Sequence, residues 1–168
     1  MARMTDAELA AHLADMAGRI LLQVREAGVF DGKALGKAGD ATANQFLCHA
    51  LRAQRPDDGL LSEEEKDNPE RLAQSRVWIV DPVDGTKEFT KRIPEFGVSI
   101  ALTVNGEPVV GVILNPAAGS AVWASEGGGT FRDGTRVRVS NKTQLADAVV
   151  IASRTEISRN QFEPYEGW

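Results

Sequence analysis

Acidic side chains are concentrated around one short segment of this sequence. Residues 81–86 run Asp-Pro-Val-Asp-Gly-Thr, and an acidic run, 63–65, lies upstream. Pro82 is disfavoured inside a central strand and forces Asp81 into an extended conformation, while the glycine that follows permits a tight turn. We therefore expect Asp81 and Asp84 to lie together on a strand-to-helix bend. Backbone N–H groups at such a helix start can bind phosphate.

Carboxylates gathered in this way favour metal-assisted chemistry. They repel each other by about 1 to 4 kcal/mol per pair at about 4 Å, depending on the dielectric. Mg²⁺ removes that repulsion and suits one or two carboxylates plus a substrate phosphate. Two such ions about 3.5 to 4 Å apart can activate water and stabilise the leaving oxygen in phosphoryl transfer. Composition and spacing leave an alternative open, in which Asp84 or Thr86 caps a helix and the run 63–65 is a solvated loop.

Composition excludes several other functional classes. The chain has 168 residues, a net charge of -5 and one cysteine, so neither a disulfide framework nor a cysteine zinc site is expected. The acidic balance does not favour nucleic acid, although bridging cations allow an acidic protein to bind small phosphates. No apolar run approaches the roughly 18 to 20 residues of a membrane helix. With no long apolar segment at the N-terminus, we expect a cytoplasmic protein.

Two long helices are predicted in the first third of the chain. A capping box and apolar residues at helical spacing predict a helix over about 5–27. The glycine-rich segment 30–39 is predicted to be a loop, and Asp40 to cap a second helix over about 41–54. A short helical piece is predicted within 70–75.

The remainder of the chain has the pattern of strands. The apolar run 77–80 predicts a buried strand that ends at 81–82, and residues 98–104 alternate as a strand should. Asn-Gly at 105–106 predicts a hairpin that returns through 109–114. Further short strands are predicted at 121–124, 130–132, 136–139 and 148–152. The expected fold class is α+β, with two long helices packed on a mostly antiparallel sheet.

Several segments resemble one enzyme family. Ser-Glu-Glu at 62–64, followed by residues 78–89 (WIVDPVDGTKEF), is similar to the signature of the inositol monophosphatase superfamily, whose members are lithium-sensitive, magnesium-dependent phosphomonoesterases. Residues 37–40, 96–101 and 111–116 resemble segments that flank that signature in the family.

This resemblance extends from about Leu9 to Arg154 and carries expectations about the fold. It implies an inositol monophosphatase/fructose-1,6-bisphosphatase-like N-terminal α+β domain over 1–145, followed at 146–168 by the start of a second αβ domain. Family members are longer, and their second domain contributes a Trp-Asp motif that residues 163–168 lack. We therefore expect a chain cut short, a fragment with reduced or no activity.

The resemblance also indicates a branch of the family. Ser-Glu-Glu at 62–64 and Thr-Lys-Glu-Phe at 86–89 resemble the 3'(2'),5'-bisphosphate nucleotidase (CysQ-type) branch, which removes the 3'-phosphate of 3'-phosphoadenosine 5'-phosphate, a by-product of sulfate activation. The alternatives are an inositol-1-monophosphatase or sugar phosphatase and, in another class, a catalytically inactive metal-binding or interaction domain. Small phosphorylated substrates are the implied partners, without nucleic acid or membrane, and a homodimer is allowed.

The resemblance implies a set of metal ligands. Glu63 and Asp81 would hold a first Mg²⁺ with the Val83 carbonyl, and Asp81 would bridge to a second that Asp84 also binds. Two or three Mg²⁺ ions are implied, with Mn²⁺ as a substitute and inhibition by Li⁺ and Ca²⁺. Glu63 thereby counts among the catalytic residues.

The resemblance implies roles around the reacting phosphate as well. The Thr86 hydroxyl would orient the attacking water, and Asp40 would orient Thr86. The backbone N–H groups of Gly85 and Thr86 would cradle the phosphate, with Ser153 and Arg154 as further contacts to substrate. The implied reaction is in-line attack by metal-activated water without a covalent intermediate.

Overall fold

A computed structural model describes residues 4–149 and 151–161. The chain divides into two compact units, Met1–Val137 and Arg138–Trp168. The assignment of 1–145 to one domain and of 146–168 to the start of another stays a prediction.

Helix α1 (Asp6–Glu26) begins where the sequence predicts. The Thr5 side chain accepts a hydrogen bond from the Glu8 backbone N–H, and the Glu8 carboxylate accepts one from the Thr5 backbone N–H, so the predicted capping box is confirmed. The apolar face of the helix is buried against the sheet.

Helix α2 (Gly32–Gln54) is longer than predicted. The predicted loop over 30–39 is wrong, because the helix begins at Gly32 and continues through Asp40. Asp40 is therefore an interior helical residue rather than the cap, and Asp31 occupies the cap position. The low helical propensity of glycine suggested a loop. A Cβ on Gly39 would lie 2.7 Å from the Phe89 ring. A glycine therefore occurs inside this helix because a larger residue would not fit against Phe89.

Seven strands form one sheet whose spatial order follows the sequence. The strands are β1 (Gly59–Ser62), β2 (Arg76–Asp84), β3 (Gly97–Val104), β4 (Glu107–Asn115), β5 (Ser120–Ser125), β6 (Gly129–Arg132) and β7 (Thr135–Val137). Only the β1–β2 pair is parallel, so the predicted α+β class with a mostly antiparallel sheet is confirmed. Asn105 and Gly106 both have positive φ, as the predicted hairpin turn requires.

Strands β1 and β2 differ from the sequence-based prediction. Strand β1 was not predicted, because its four residues follow a turn signal and carry no alternation. Strand β2 was predicted to end at 81–82 but runs to Asp84, with a shift of register between Asp81 and Asp84. This irregularity accommodates Pro82 within the strand, since a proline is tolerated where the pairing is interrupted.

The core lies between the two long helices and one face of the sheet. Helix α1 packs over β3 and β4, whereas α2 packs over β1 and β2. The short helix α3 (Thr86–Thr90) contacts α2 and buries Phe89 completely. A short 3₁₀ helix, Pro69–Ala73, confirms the predicted helical piece between β1 and β2. Fully buried side chains include Leu21, Leu35, Leu47, Leu51, Trp78, Val98, Ile100 and Leu102.

The second unit contains a 3₁₀ helix, Leu145–Asp147, and helix α4 (Arg154–Ser158). The predicted strand at 148–152 is wrong for the described residues, which form no strand there and leave Ile151 94% exposed. Residue 150 and the segment 163–168, where the Trp-Asp motif is lacking, lie outside the described residues. No helix in the described part of the chain has the length and apolar character needed to cross a bilayer.

Candidate active site

A left-handed turn at Gly85 connects β2 to α3. Gly85 has φ 86° and ψ 40°. A Cβ there would lie 2.9 Å from the Glu95 carbonyl oxygen, so both the conformation and the space require glycine. The turn places Thr86 at the start of α3, two residues after Asp84. The predicted bend is therefore present. It begins later than the sequence suggested, because β2 continues to Asp84.

The parallel pairing of β1 with β2 brings Glu63 beside Asp81. Ser62 pairs with Val80, and the Glu63 backbone N–H donates to the Val80 carbonyl at 3.2 Å. Glu63, the residue after β1, consequently lies beside Asp81 of β2. Because β1 was not predicted, the sequence alone gave no structural cause for this approach.

Asp40 reaches the same cluster from α2. Its carboxylate lies close enough to Glu64 and Glu63 for both charges to raise its pKa, and the Thr86 hydroxyl faces it and offsets part of that rise. Asp40 lies inside α2, so its carboxylate does not cap the backbone N–H groups at the start of the helix and can take part in this contact. Helix α2, the segment that follows β1 and strand β2 thus contribute acidic side chains to one place. We call it the acidic cluster: Asp40, Glu63, Glu64, Asp81 and Asp84.

Burial and mutual repulsion perturb two members of the acidic cluster. Partial burial is the main cause that raises the pKa of Asp81 from 3.8 to about 6, followed by the charges of Glu63 and Asp84. Burial is also the main cause that raises the pKa of Asp40 to about 6, and the charges of Glu64 and Glu63 raise it further. The Val83 backbone N–H donates to Asp81 Oδ1 at 3.1 Å, which acts in the opposite direction. Both carboxyls therefore lose their protons at a higher pH than an ordinary aspartate does.

Among the described residues, no lysine, arginine or histidine forms an ion pair with a carboxylate of the acidic cluster. The ion pairs of that part of the chain involve other carboxylates, such as those of Asp6, Asp58 and Glu65. In the same residues, no three histidine, cysteine or carboxylate side chains form a ready-made group for a metal ion. An ion that uses Glu63, Asp81 and Asp84 together therefore requires their side chains to turn towards it. The donor set itself, hard carboxylate oxygens that form no ion pair among the described residues, fits Mg²⁺.

The Thr86 hydroxyl lies between the acidic cluster and the backbone of β2. It donates a hydrogen bond to the Val83 carbonyl at 3.1 Å and also faces the Asp40 carboxylate. The predicted ligand Val83 and the predicted water-orienting pair Thr86 and Asp40 are thus brought together. Their roles in a reaction stay predictions.

A buried hydrogen-bond network that sequence reasoning missed holds the segment after β1. The Ser62 hydroxyl donates to Asn44 Oδ1 at 2.6 Å, and the Glu64 backbone N–H donates to Ser62 Oγ at 3.3 Å. Asn44 lies on α2 one turn after Asp40 and is buried. An asparagine on the otherwise apolar face of this helix was the signal that could have revealed its supporting position.

Ser153 and Arg154 lie in the second unit. Ser153 caps α4, accepting a hydrogen bond from the Glu156 backbone N–H, and Arg154 is the first residue of that helix. Their predicted contact with substrate phosphate stays a prediction.

Comparison with known proteins places this geometry in a family. The model of the inositol monophosphatase family matches residues 5–167, nearly the whole chain. The chain belongs to the inositol monophosphatase family. The family resemblance of the motif at 78–89 is thereby confirmed.

Relatives within the inositol monophosphatase family differ in their named substrates. The 3'-phosphoadenosine 5'-phosphate phosphatase of Mycobacterium leprae is 46% identical over 136 residues, which cover 74% of this chain and 50% of that protein. The histidinol-phosphatase of Chlorobaculum parvum is 36% identical over 157 residues, covering 90% and 60%. Among solved structures, the extragenic suppressor protein suhB from Bartonella henselae is 34% identical, with a TM-score of 0.71 over 83% of this chain and 56% of that one. The chain thus spans about half the length of the relatives it matches.

Proposed function

We propose that this chain carries the metal-binding part of a Mg²⁺-dependent phosphomonoesterase that removes the 3'-phosphate of 3'-phosphoadenosine 5'-phosphate. The observation that carries the proposal is the acidic cluster, whose carboxylates gather at the β2–α3 turn and form no ion pair with another described residue. Such a cluster is stable in its ionised form when divalent cations occupy it.

In this proposal each side chain has a defined task. Glu63, Asp81 and Asp84, with the Val83 carbonyl, hold Mg²⁺. The bound metal supplies neutralisation of the phosphate charge and activation of water for in-line attack. Mn²⁺ substitutes, and Li⁺ and Ca²⁺ inhibit.

The remaining residues orient water and phosphate. The Thr86 hydroxyl positions the attacking water, and the Asp40 carboxylate fixes the direction of that hydroxyl. Backbone N–H groups of Gly85 and Thr86 face the phosphate, with Ser153 and Arg154 as further contacts. No side chain forms a covalent bond to the phosphoryl group.

The relatives favour a nucleotide substrate. The relative named for 3'-phosphoadenosine 5'-phosphate is 46% identical, against 36% for the histidinol-phosphatase. The same proposal describes a cytoplasmic enzyme that clears a by-product of sulfate activation, and it allows a homodimer. Inositol monophosphate or a sugar phosphate is the second candidate, favoured by the family itself. A catalytically inactive metal-binding or interaction domain is the third candidate, and it would bind Mg²⁺ without turnover.

A phosphate-release panel tests these candidates. The chain is assayed with excess Mg²⁺ against adenosine 3',5'-bisphosphate, inositol 1-phosphate and histidinol phosphate, and calorimetry measures Mg²⁺ binding in parallel. We expect the highest kcat/KM with the bisphosphate and a loss of at least about 100-fold in Asp81→Asn, because several kcal/mol of charge stabilisation disappear. Asp67→Asn, which removes an exposed carboxylate paired with Arg71, should leave activity unchanged.

Three outcomes would contradict parts of the proposal. A higher kcat/KM for inositol 1-phosphate would transfer the assignment to the second candidate. Mg²⁺ binding with no phosphate released from any of the three substrates would support the inactive domain. Full activity in Asp81→Asn would remove the metal assignment.

A further inference from the structure

Helix α2 brings a second polar side chain, Asn44, close to the acidic cluster. Asn44 lies one turn after Asp40 on the same side of the helix. Its side chain is only 8% exposed, so its polar atoms need hydrogen-bond partners inside the protein. Asn44 has no task in the proposed reaction, yet its partners stand on both sides of the proposed Mg²⁺ ligand Glu63 and its neighbour Glu64.

The side-chain oxygen of Asn44 holds the residue before Glu63. It accepts a hydrogen bond from the Ser62 hydroxyl at 2.6 Å and another from the Cys48 thiol at 3.1 Å. Ser62 is the last residue of β1 and is 4% exposed. A hydrogen bond between two buried side chains fixes both of them, because breaking it leaves a buried polar group unsatisfied.

The amide group of Asn44 faces Glu65, the residue after the Glu63–Glu64 pair. The Arg52 guanidinium donates to Glu65 Oε1 at 3.3 Å and to Oε2 at 2.5 Å. This contact is the main cause that holds the pKa of Glu65 below its ordinary value, and the hydrogen bond from the Asn44 amide acts in the same direction. Asn44 therefore contacts the residue that precedes the pair and the residue that follows it.

A tight turn separates Glu65 from the other two glutamates. The Glu65 backbone N–H donates to the Ser62 carbonyl at 3.3 Å, and the Glu64 backbone N–H donates to Ser62 Oγ at 3.3 Å. The turn directs Glu65 towards the middle of α2, whereas Glu63 and Glu64 lie close enough to Asp40 to raise its pKa. The three consecutive glutamates are therefore not equivalent, since two of them join the acidic cluster and one is held apart from it.

Charge alone does not explain this separation. The three glutamates carry the same charge, so a cation at the acidic cluster would attract all of them. The Arg52 side chain is 59% exposed, and water therefore screens its ion pair with Glu65. The contact between Asn44 and Ser62 is buried and depends on hydrogen-bond geometry, so it fixes the direction of the chain at this point.

We infer that Asn44 is a positioning residue: by holding the two residues that flank Glu63 and Glu64, it directs this pair towards the acidic cluster and sets the affinity of the cluster for Mg²⁺. This inference rests on the proposed function, because Glu63 is a Mg²⁺ ligand there. Groups that hold metal ligands in place typically contribute a factor of about 10 to 100 to metal affinity.

Calorimetry and amide hydrogen exchange test the inference with three variants. Asn44→Leu removes the contacts of the amide group with little change in volume, and Asn44→Leu/Ser62→Ala also removes the hydroxyl that loses its acceptor. The control, Asp58→Asn, perturbs a buried network just before β1, where Asp58 accepts hydrogen bonds from Arg76 and Trp78. Circular dichroism verifies that each variant is folded at the temperature of the Mg²⁺ titration.

Stability and Mg²⁺ affinity should separate in these variants. The double variant should regain most of the stability that Asn44→Leu loses, because replacing both partners of a buried hydrogen bond by apolar groups leaves neither of them unsatisfied. Its Kd for Mg²⁺ should nevertheless stay at least about tenfold above the wild-type value. Asp58→Asn should lose stability and keep the wild-type Kd.

Hydrogen exchange adds a measurement that needs no metal. Without divalent cations, the Glu65 backbone N–H should exchange at least about fivefold faster in the double variant, because the turn opens locally more often. The amides of Val98 and Ile100 in the core strand β3 should keep their wild-type rates. A wild-type Kd for Mg²⁺ in the double variant, or an unchanged rate at Glu65, would overturn the inference while leaving the proposed metal site in place. Absence of Mg²⁺ binding by the wild-type chain would overturn the proposed function and this inference together.

Discussion

Replacing Asp81 by asparagine should stabilise the metal-free protein. The pKa of Asp81 in the folded state is about 6, against an ordinary value of 3.8. That difference corresponds to about 3 kcal/mol at 1.36 kcal/mol per pKa unit. Since Asp81 is only partly buried, solvent screening reduces the effect on stability to about 1 kcal/mol. Asparagine keeps the acceptor for the Val83 backbone N–H, so the turn is retained.

The sign of the effect depends on pH. Because the folded-state pKa of Asp81 lies above its unfolded-state value, the folded protein binds more protons between pH 3.8 and about 6. Its contribution to stability therefore falls as pH rises through that window. The advantage of Asp81→Asn should be full at pH 7.5 and largely absent at pH 4.5. Thermal unfolding without divalent cations should show a Tm about 2 to 4 °C higher at pH 7.5.

Magnesium should reverse the order of stability. A bound ion stabilises the wild-type protein by about 2.7 kcal/mol at a concentration 100 times its Kd, and Asp81→Asn should lose most of that gain. Asp58→Asn is the matched control, because Asp58 accepts hydrogen bonds from Arg76 at 2.9 Å and Trp78 at 2.8 Å. It should destabilise the protein by about 1.5 to 3 kcal/mol with or without Mg²⁺. The reasoning is refuted if Asp81→Asn behaves like Asp58→Asn, or if its gain is the same at pH 4.5.

Two further substitutions test the positions of α2 and α3. Gly39→Ala should lower the free energy of unfolding by about 1 to 2 kcal/mol, because its Cβ would meet the buried Phe89 ring at 2.7 Å and overpacking exceeds the gain in helix propensity. Denaturant unfolding measures this, with Gly111→Ala, where nothing lies within 4 Å, as a control that should change little. Thr86→Ala should lower kcat by about 100-fold while Mg²⁺ affinity by calorimetry changes little, with Thr86→Ser restoring activity. Equal losses of kcat and Mg²⁺ affinity would contradict the water-orienting role.

The pattern of residues predicted most of the fold. The first helix, the hairpin at 105–106 and the strands that follow it depend on local signals: a capping box, helical periodicity, alternation and left-handed turn residues. The glycines of α2 were misinterpreted because helix propensity is a local quantity. Their reason for being glycine is contact with α3, which is distant in sequence.

The candidate site shows the same division. The sequence from Glu63 to Thr86 predicted a metal site, because acidic residues supply oxygen ligands and the glycine after Asp84 indicates a tight turn. Their proximity was not, because it depends on the parallel pairing of β1 with β2 and on the position of Asp40 inside α2. The sequence by itself determined which chemical groups the protein has and most of the local elements that carry them. Tertiary packing decided which of these groups lie close together, because repulsion and burial depend on distance in space and not on separation along the chain.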